Sequence, residues 1–156
     1  MVIRSVIPAA AIAALFLTAC GSTNSPSQAA TSPSPTATPT VEVSTITVAG
    51  NQEMVLTNSS GLTLYYLTSD VSAAPKCTAA CLTHWPPLMS TGTPTAMAGV
   101  SGTLTVVTNA NGSQVAYNGH LVYLFAGDKA KGDATGEGIK AFGGVWHVAT
   151  PALAAA

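Results

Sequence analysis

Residues 65–70 read YYLTSD and residues 123–128 read YLFAGD, so the pattern Tyr-x-x-x-x-Asp occurs twice, with Tyr123 standing 58 residues after Tyr65. The same shift lays Thr45-Ile46-Thr47-Val48 on Thr103-Leu104-Thr105-Val106, Asn51 on Asn109, Gly61 on Gly119 and Asp70 on Asp128. One ungapped offset over about 27 residues marks two copies of one structural unit. Around the motifs the chain reads as strand nearly throughout. Residues 43–48, 54–57, 62–67, 103–108, 114–118, 121–125 and 145–149 are short runs, β-branched or aromatic, bounded by turn residues. Asn111-Gly112 and Asn118-Gly119 predict type I′ hairpin turns, because both residue types accept positive φ; the matching turns of the first copy, Gly50-Asn51 and Asn58 to Gly61, read as looser. Each copy is a β-meander ending in the motif, then an irregular stretch, then a tryptophan. A three-residue difference in that stretch brings Trp85 and Trp146 into register. The expected fold is all-β: two meander repeats, about 44–88 and 102–150, packed with pseudo-twofold symmetry as a small sandwich or barrel, with one short helical turn near 77–83.

The N-terminus carries an address. Arg4 precedes an apolar run from Val6 to Phe16 that ends in Leu17-Thr18-Ala19-Cys20. Such a run is too short to span a bilayer and has the layout of a secretion signal, residues 1–19. Small residues before a cysteine that is followed by Gly21 resemble the lipobox of bacterial lipoproteins, in which cleavage leaves Cys20 as the lipid-modified first residue. Two acyl chains on Cys20 would anchor stably where one would not, each buried methylene contributing about 0.8 kcal/mol. From Cys20 to Thr40 the chain is Ser, Thr, Pro and Ala with little else, and cannot bury enough surface to offset its ordering entropy. A disordered tether is expected there, reaching roughly 60 Å when fully extended. Residues 41–156 form the folded domain.

Charge is sparse. The chain of 156 residues carries a formal net charge of −1, and the loss of Arg4 with the signal leaves about −2, with no basic cluster. That argues against nucleic acid as a partner. Membrane lipid through Cys20 and an envelope ligand or protein are the expected partners.

The paired motifs, the lipobox, the low-complexity tether, CTAACLTHWPPL (residues 77–88) and FGGVWHV (residues 142–148) together resemble the secreted-repeat lipoproteins, a group of bacterial lipoproteins defined by tandem Tyr-x4-Asp units. The resemblance covers essentially the whole mature domain. It implies an exported, lipid-anchored β protein and leaves its mechanism open, since the group is known chiefly as repeats of unknown function. One form of the motif prefers an aromatic two residues after the tyrosine; Phe125 satisfies it and Leu67 does not.

A structural role is expected for Tyr65, Asp70, Tyr123 and Asp128. A tyrosine late in a strand packs its ring and uses its hydroxyl as a hydrogen-bonding tip, while an aspartate just past the strand accepts backbone N–H groups in an Asx-turn. A motif present in both copies is not explained by a single active site. Cys77 and Cys81 have two readings. In an exported protein they pair as a disulfide, one helical turn placing their Cα atoms about 6 Å apart. Alternatively Cys77, Cys81 and His84, at i, i+4 and i+7 on one helix face, would be soft ligands for copper(I) or zinc. His120 and His147 would become ligands only if a third group met them. The glycine-rich run 131–144 lacks the ending of a phosphate loop and the spacing of an EF-hand, and reads as a long solvated loop. No nucleophile-elbow or zinc-hydrolase motif occurs in the chain, so no enzyme and no resident cofactor are expected. The function expected from sequence is a membrane-tethered, extracytoplasmic binding or envelope-interaction module, with a copper-handling or redox role as the alternative. If the tryptophans were accessible, Trp85-Pro86-Pro87 and Phe142 would offer the ligand surface.

Overall fold

A computed structural model of the protein describes residues 40–71 and 73–156; the signal segment, Cys20 and the tether up to residue 39 lie outside the described residues. In chain order the elements are β1 (Val41–Val48), β2 (Asn51–Asn58), β3 (Tyr65–Leu67), α1 (Cys81–His84), β4 (Leu104–Asn109), β5 (Gly112–Tyr117), β6 (His120–Leu121), β7 (Lys140–Ala141) and β8 (Gly144–Val148). They form three small antiparallel sheets, β1-β2, β3-β8-β7 and β4-β5-β6. The fold is all-β as expected, and the sheets do not close into a barrel.

Turn chemistry explains where the strands begin and end. β1 and β2 meet with Val48 opposite Asn51, and the two residues between them, Ala49 (φ 47°) and Gly50 (φ 90°), both adopt positive φ. The first-copy turn is therefore a tight type I′ turn one residue earlier than expected, with alanine taking the left-handed position. Asn118 (φ 48°) and Gly119 (φ 88°) make the type I′ turn that the sequence predicts, joining β5 to β6. At Asn111-Gly112 the outcome differs. Asn109 pairs with Gly112, the loop is Ala110-Asn111, and Asn109 Oδ1 accepts the Asn111 N–H at 2.8 Å, which leaves Gly112 (φ 108°) as the first residue of β5. The run 131–144 is more ordered than a solvated loop, because Phe142 (φ 54°) and Gly143 (φ 83°) turn β7 back onto β8. Earlier in that segment the Asp133 carboxylate accepts N–H bonds from Lys129 and Ala130 at 2.7 and 2.8 Å, which holds its pKa below the ordinary value.

The two copies are related by a pseudo-twofold axis that passes between Tyr65 and Tyr123. Each of these residues donates its backbone N–H to the other's carbonyl, both at 2.9 Å. Around the axis the bonds repeat in matched pairs. Leu56 N–H to Ala149 O (2.7 Å) answers Val115 N–H to Leu88 O (2.8 Å), and Ala149 N–H to Leu64 O (2.7 Å) answers Leu88 N–H to Val122 O (3.0 Å). The symmetry breaks where prolines intervene. β3 pairs regularly with β8, whereas the equivalent segment 85–88 is Trp-Pro-Pro-Leu. Pro86 and Pro87 have no N–H to give, so the ladder there keeps only the bonds from Leu124 N–H to Pro86 O (2.8 Å) and Leu88 N–H to Val122 O (3.0 Å), with the bridge of Pro87 to Tyr123 between them. This is why the strand expected over 121–125 is regular only at His120–Leu121.

Side chains alternate between two cores on opposite faces of this central layer. Tyr65, Leu67, Val55, Ala116, Tyr123, Trp85, Trp146 and the two cysteines fill one. Leu56, Leu64, Val115, Tyr117, Val122, Val41 and Ala149 fill the other. The C-terminal residues close the second core: Tyr117 Oη donates to Pro151 O at 2.8 Å, Asn118 Nδ2 to Leu153 O at 2.8 Å, and Ala156 N–H to Asn118 O at 3.0 Å.

Candidate functional site

Each motif completes its partner copy rather than itself. Tyr65 Oη donates to Asp128 Oδ2 at 2.7 Å and Tyr123 Oη donates to Asp70 Oδ2 at 2.6 Å. The second carboxylate oxygen of each aspartate anchors the irregular stretch that follows it. Asp128 Oδ1 accepts from the backbone N–H and the hydroxyl of Thr135 (3.0 and 2.6 Å), and Asp70 Oδ1 accepts from the backbone N–H groups of Lys76 and Cys77 (2.6 and 3.4 Å). The expected Asx-turns are thus replaced by longer loops closed six or seven residues on. Immediately before each aspartate a tight turn forms, with Asp70 N–H on Leu67 O and Asp128 N–H on Phe125 O.

The tyrosines are fully buried, and both phenols are raised well above the ordinary tyrosine pKa, first by loss of water and then by the hydrogen bond and charge of the facing aspartate. Beside them Trp85 and Trp146 stack face to face across the pseudo-axis, centroids 3.7 Å apart and planes 2° from parallel, with the edges of Tyr65 and Tyr123 against them. Gly136 lies on this cluster. Its N–H donates to Tyr65 Oη at 3.3 Å, and a Cβ there would come within 2.8 Å of Trp85 and 2.9 Å of Tyr65. Tyr65, Asp128, Tyr123 and the tryptophans are sealed in the interior, and Asp70 spends both of its oxygens on the scaffold. The tryptophans are not accessible, so Trp85-Pro86-Pro87 offers no indole face to a ligand; Phe142 alone of that set is exposed, at 40%.

Cys77 and Cys81 form a disulfide with Cα atoms 5.2 Å apart. The helix begins only at Cys81, so Cys77 precedes it and the helical face proposed for Cys77, Cys81 and His84 does not form. Both cysteines are buried while His84 is exposed, its carbonyl accepting the Ala126 N–H at 2.8 Å. The disulfide sits where it steadies the Asp70 loop: the Cys77 carbonyl accepts from Asn111 Nδ2 at 3.0 Å while the Cys77 N–H reaches Asp70. In the second copy Thr135 stands at the position of Cys77 and holds Asp128 with its hydroxyl.

Polar side chains that the scaffold does not seal away converge elsewhere. A surface groove of about 380 Å³ opens where the β1–β2 hairpin, β3, β8 and the C-terminal residues meet. Val48, Val148 and Leu153 give it apolar surface, and Glu53, Tyr66, Glu137 and His147 bring the functional groups. Glu137 is held firmly: Oε1 meets His147 Nδ1 at 2.7 Å and Oε2 accepts the Val148 N–H at 2.7 Å. Tyr66 is packed between two imidazoles, its ring centroid 4.9 Å from His120 and 6.0 Å from His147. Partial burial, and then the negative charge of Glu137, raise the Tyr66 pKa. His120 and His147, far apart in the chain, thus do meet a third group, and it is an aromatic ring. Among the described residues no set of three or more His, Cys, Asp or Glu side chains is placed to hold a metal ion.

Sequence reasoning missed Glu53, Tyr66 and Glu137. Tyr66 had a signal: in the run Tyr65-Tyr66-Leu67 the strand period sends Tyr66 to the face opposite Tyr65, away from the motif. Glu53 and Glu137 carry none, since their meeting depends on how three separate segments pack.

No curated protein and no solved structure matches the chain. Residues 105–150 match the family described as "Secreted repeat of unknown function", a span that holds the second Tyr-x4-Asp motif, β5 to β8 and Trp146. Residues 105–150 are thus similar to a secreted repeat, a likeness that supports export, and the structure pairs them with a second copy through swapped tyrosine–aspartate bonds.

Proposed function

We propose that the mature protein is a lipid-anchored, non-catalytic binding module, held by Cys20 on the outer face of a cell or envelope membrane and engaging an envelope component through the groove around Tyr66. The observation that carries this reading is the division of labour among the polar side chains. The motif side chains are consumed in holding the two copies together, whereas Glu53, Tyr66, Glu137 and His147 line a concave, solvent-open surface. A rigid scaffold presenting a few polar groups over an apolar surface is the usual form of a ligand site. Sparse charge and the absence of a basic cluster speak against nucleic acid.

The copper-handling alternative would require the Cys77–Cys81 bond to open, and no observation favours it over a disulfide that steadies the Asp70 loop.

Photo-crosslinking in intact cells tests the module. A photoreactive residue at Asn51, exposed on the groove's edge, is expected to give an adduct with an envelope component that the same residue at Met97, outside the groove, does not give. Equal capture from both positions, or none from Asn51, overturns the groove as the binding surface.

A further inference from the structure

We infer that this groove is selective for an organic cation, an alkylammonium group whose charged head meets Glu53 and Glu137 while its chain lies on Val48, Val148 and Leu153. The inference rests on the binding-module reading above and adds the chemical class of the ligand. Three features lead to it. First, the titratable side chains that line the groove are two carboxylates, one imidazole and one phenol, with no lysine or arginine among the described residues that form its wall. An anion would meet two carboxylates there, of which only Glu137 has a partner, in His147 and the Val148 N–H, and a cation would meet none of its own sign unless His147 were protonated.

Second, the two carboxylates are differently prepared. Glu137 is fixed in place by His147 and the Val148 N–H, which removes the entropy cost of orienting it, yet a carboxylate has room for further donors beyond those two. Glu53 makes no side-chain hydrogen bond or ion pair among the described residues, so its acceptor capacity is free. A primary ammonium has three donors and no acceptor, the complement of this set.

Third, the remaining lining is apolar or aromatic. A bare metal ion gains nothing from the apolar surface of Val48, Val148 and Leu153, whereas an ammonium on an alkyl chain gains from it, the aliphatic groups covering the chain.

The test uses the full-length protein in non-ionic detergent, titrated with hexylammonium, hexanol and hexanoate. Binding is read from the ring resonances of the three histidines, His84, His120 and His147. Hexylammonium is expected to shift His147 saturably and to leave His84, which does not line the groove, unmoved. Hexanoate should give no such shift. Glu53→Gln, a substitution at a side chain with no structural bonds, should weaken hexylammonium by about three- to fivefold, the effect of one half-exposed ion pair, and added salt should weaken the unsubstituted protein likewise. If hexanol or hexanoate shifts His147 as readily as hexylammonium, the groove binds but charge has no part in it, and the cation inference falls while the module reading stands. If hexylammonium binding is the same in Glu53→Gln, or no probe moves His147, the cation inference also falls, and the Asn51 crosslink decides the module reading separately.

Discussion

Tyr123 Oη donates to Asp70 Oδ2 at 2.6 Å, across 53 residues of chain, and makes no bond to Asp128, the aspartate of its own motif. The Tyr-x4-Asp pattern is therefore a device for closing one repeat onto another. Its spacing sets the tyrosine in the central layer and carries the aspartate past a tight turn, where it reaches the twofold-related tyrosine. A lone copy would leave a buried phenol without its acceptor and one oxygen of the carboxylate without its donor.

Energetic coupling should follow that geometry. Asp70→Ala and Asp128→Ala are each expected to destabilise the fold by about 1 to 3 kcal/mol, since each leaves a buried hydroxyl and loop N–H groups without an acceptor. In double-mutant cycles Tyr65→Phe should couple to Asp128→Ala by about 0.5 to 3 kcal/mol, whereas Tyr65→Phe with Asp70→Ala should add. Chemical denaturation of the three singles and the two doubles measures this. Stronger coupling within a motif than across motifs would refute the swapped arrangement.

Alkaline pH should unfold the domain through these same phenols. The pKa values of Tyr65 and Tyr123 are raised in the folded state, so the fold holds protons that the unfolded chain releases above about pH 10. Their contribution is fully present below that pH and is lost as pH climbs toward the folded-state values. These two tyrosines together should contribute a slope that approaches about 2.7 kcal/mol per pH unit, and Tyr123→Phe should remove about half of that contribution. Circular dichroism followed together with tyrosinate absorbance checks this. Smooth ionisation of Tyr65 and Tyr123 near the ordinary tyrosine pKa with the fold intact would show the two phenols to be accessible.

Much of this was legible in the sequence because repetition, strand period and turn residues are local signals. The 58-residue offset gave the two copies, the alternation gave the strands, and the single tryptophan that follows each motif, Trp85 and Trp146, anticipated their meeting. Three things were not legible. Whether Tyr65 bonds Asp70 or Asp128 depends on how the copies are docked, which no spacing within a copy records. The left-handed Ala49 defied propensity because the hairpin register of β1 and β2 outweighs the strain on one alanine. The groove brings together Glu53, Tyr66 and Glu137 from segments that share no motif, so its chemistry exists only in the fold.

The Cys77–Cys81 bond should act on stability through a short loop. A thiol assay on the mature, unreduced protein is expected to find neither cysteine free, and Cys77→Ser with Cys81→Ser should cost about 2 kcal/mol by the loop-entropy argument. Because the Cys77 N–H faces Asp70, the loss should be smaller when measured in an Asp70→Ala background. The metal alternative makes a different demand, on His84, which a disulfide does not need. Tight stoichiometric copper(I) binding abolished by His84→Ala would replace the structural reading of these residues.

Anchoring is decided at Cys20. The acyl chains would be the one stable attachment once the signal is cut, since two chains bind a bilayer firmly while a domain with a net charge of about −2 gains nothing from an anionic surface. Cys20→Ala should therefore be released from the membrane fraction or persist as an unlipidated precursor, with no incorporation of labelled acyl chains. The folded domain should be unaffected, its melting temperature matching that of the lipidated protein, because β1 to β8 pair with one another and both cores are filled from residues 41–156. Fractionation, acyl labelling and N-terminal analysis read the three expectations separately. A Cys20→Ala protein that has lost residues 1–19 and still sediments with the membrane would mean that the domain itself binds there, and the tether would no longer be the reason for its location.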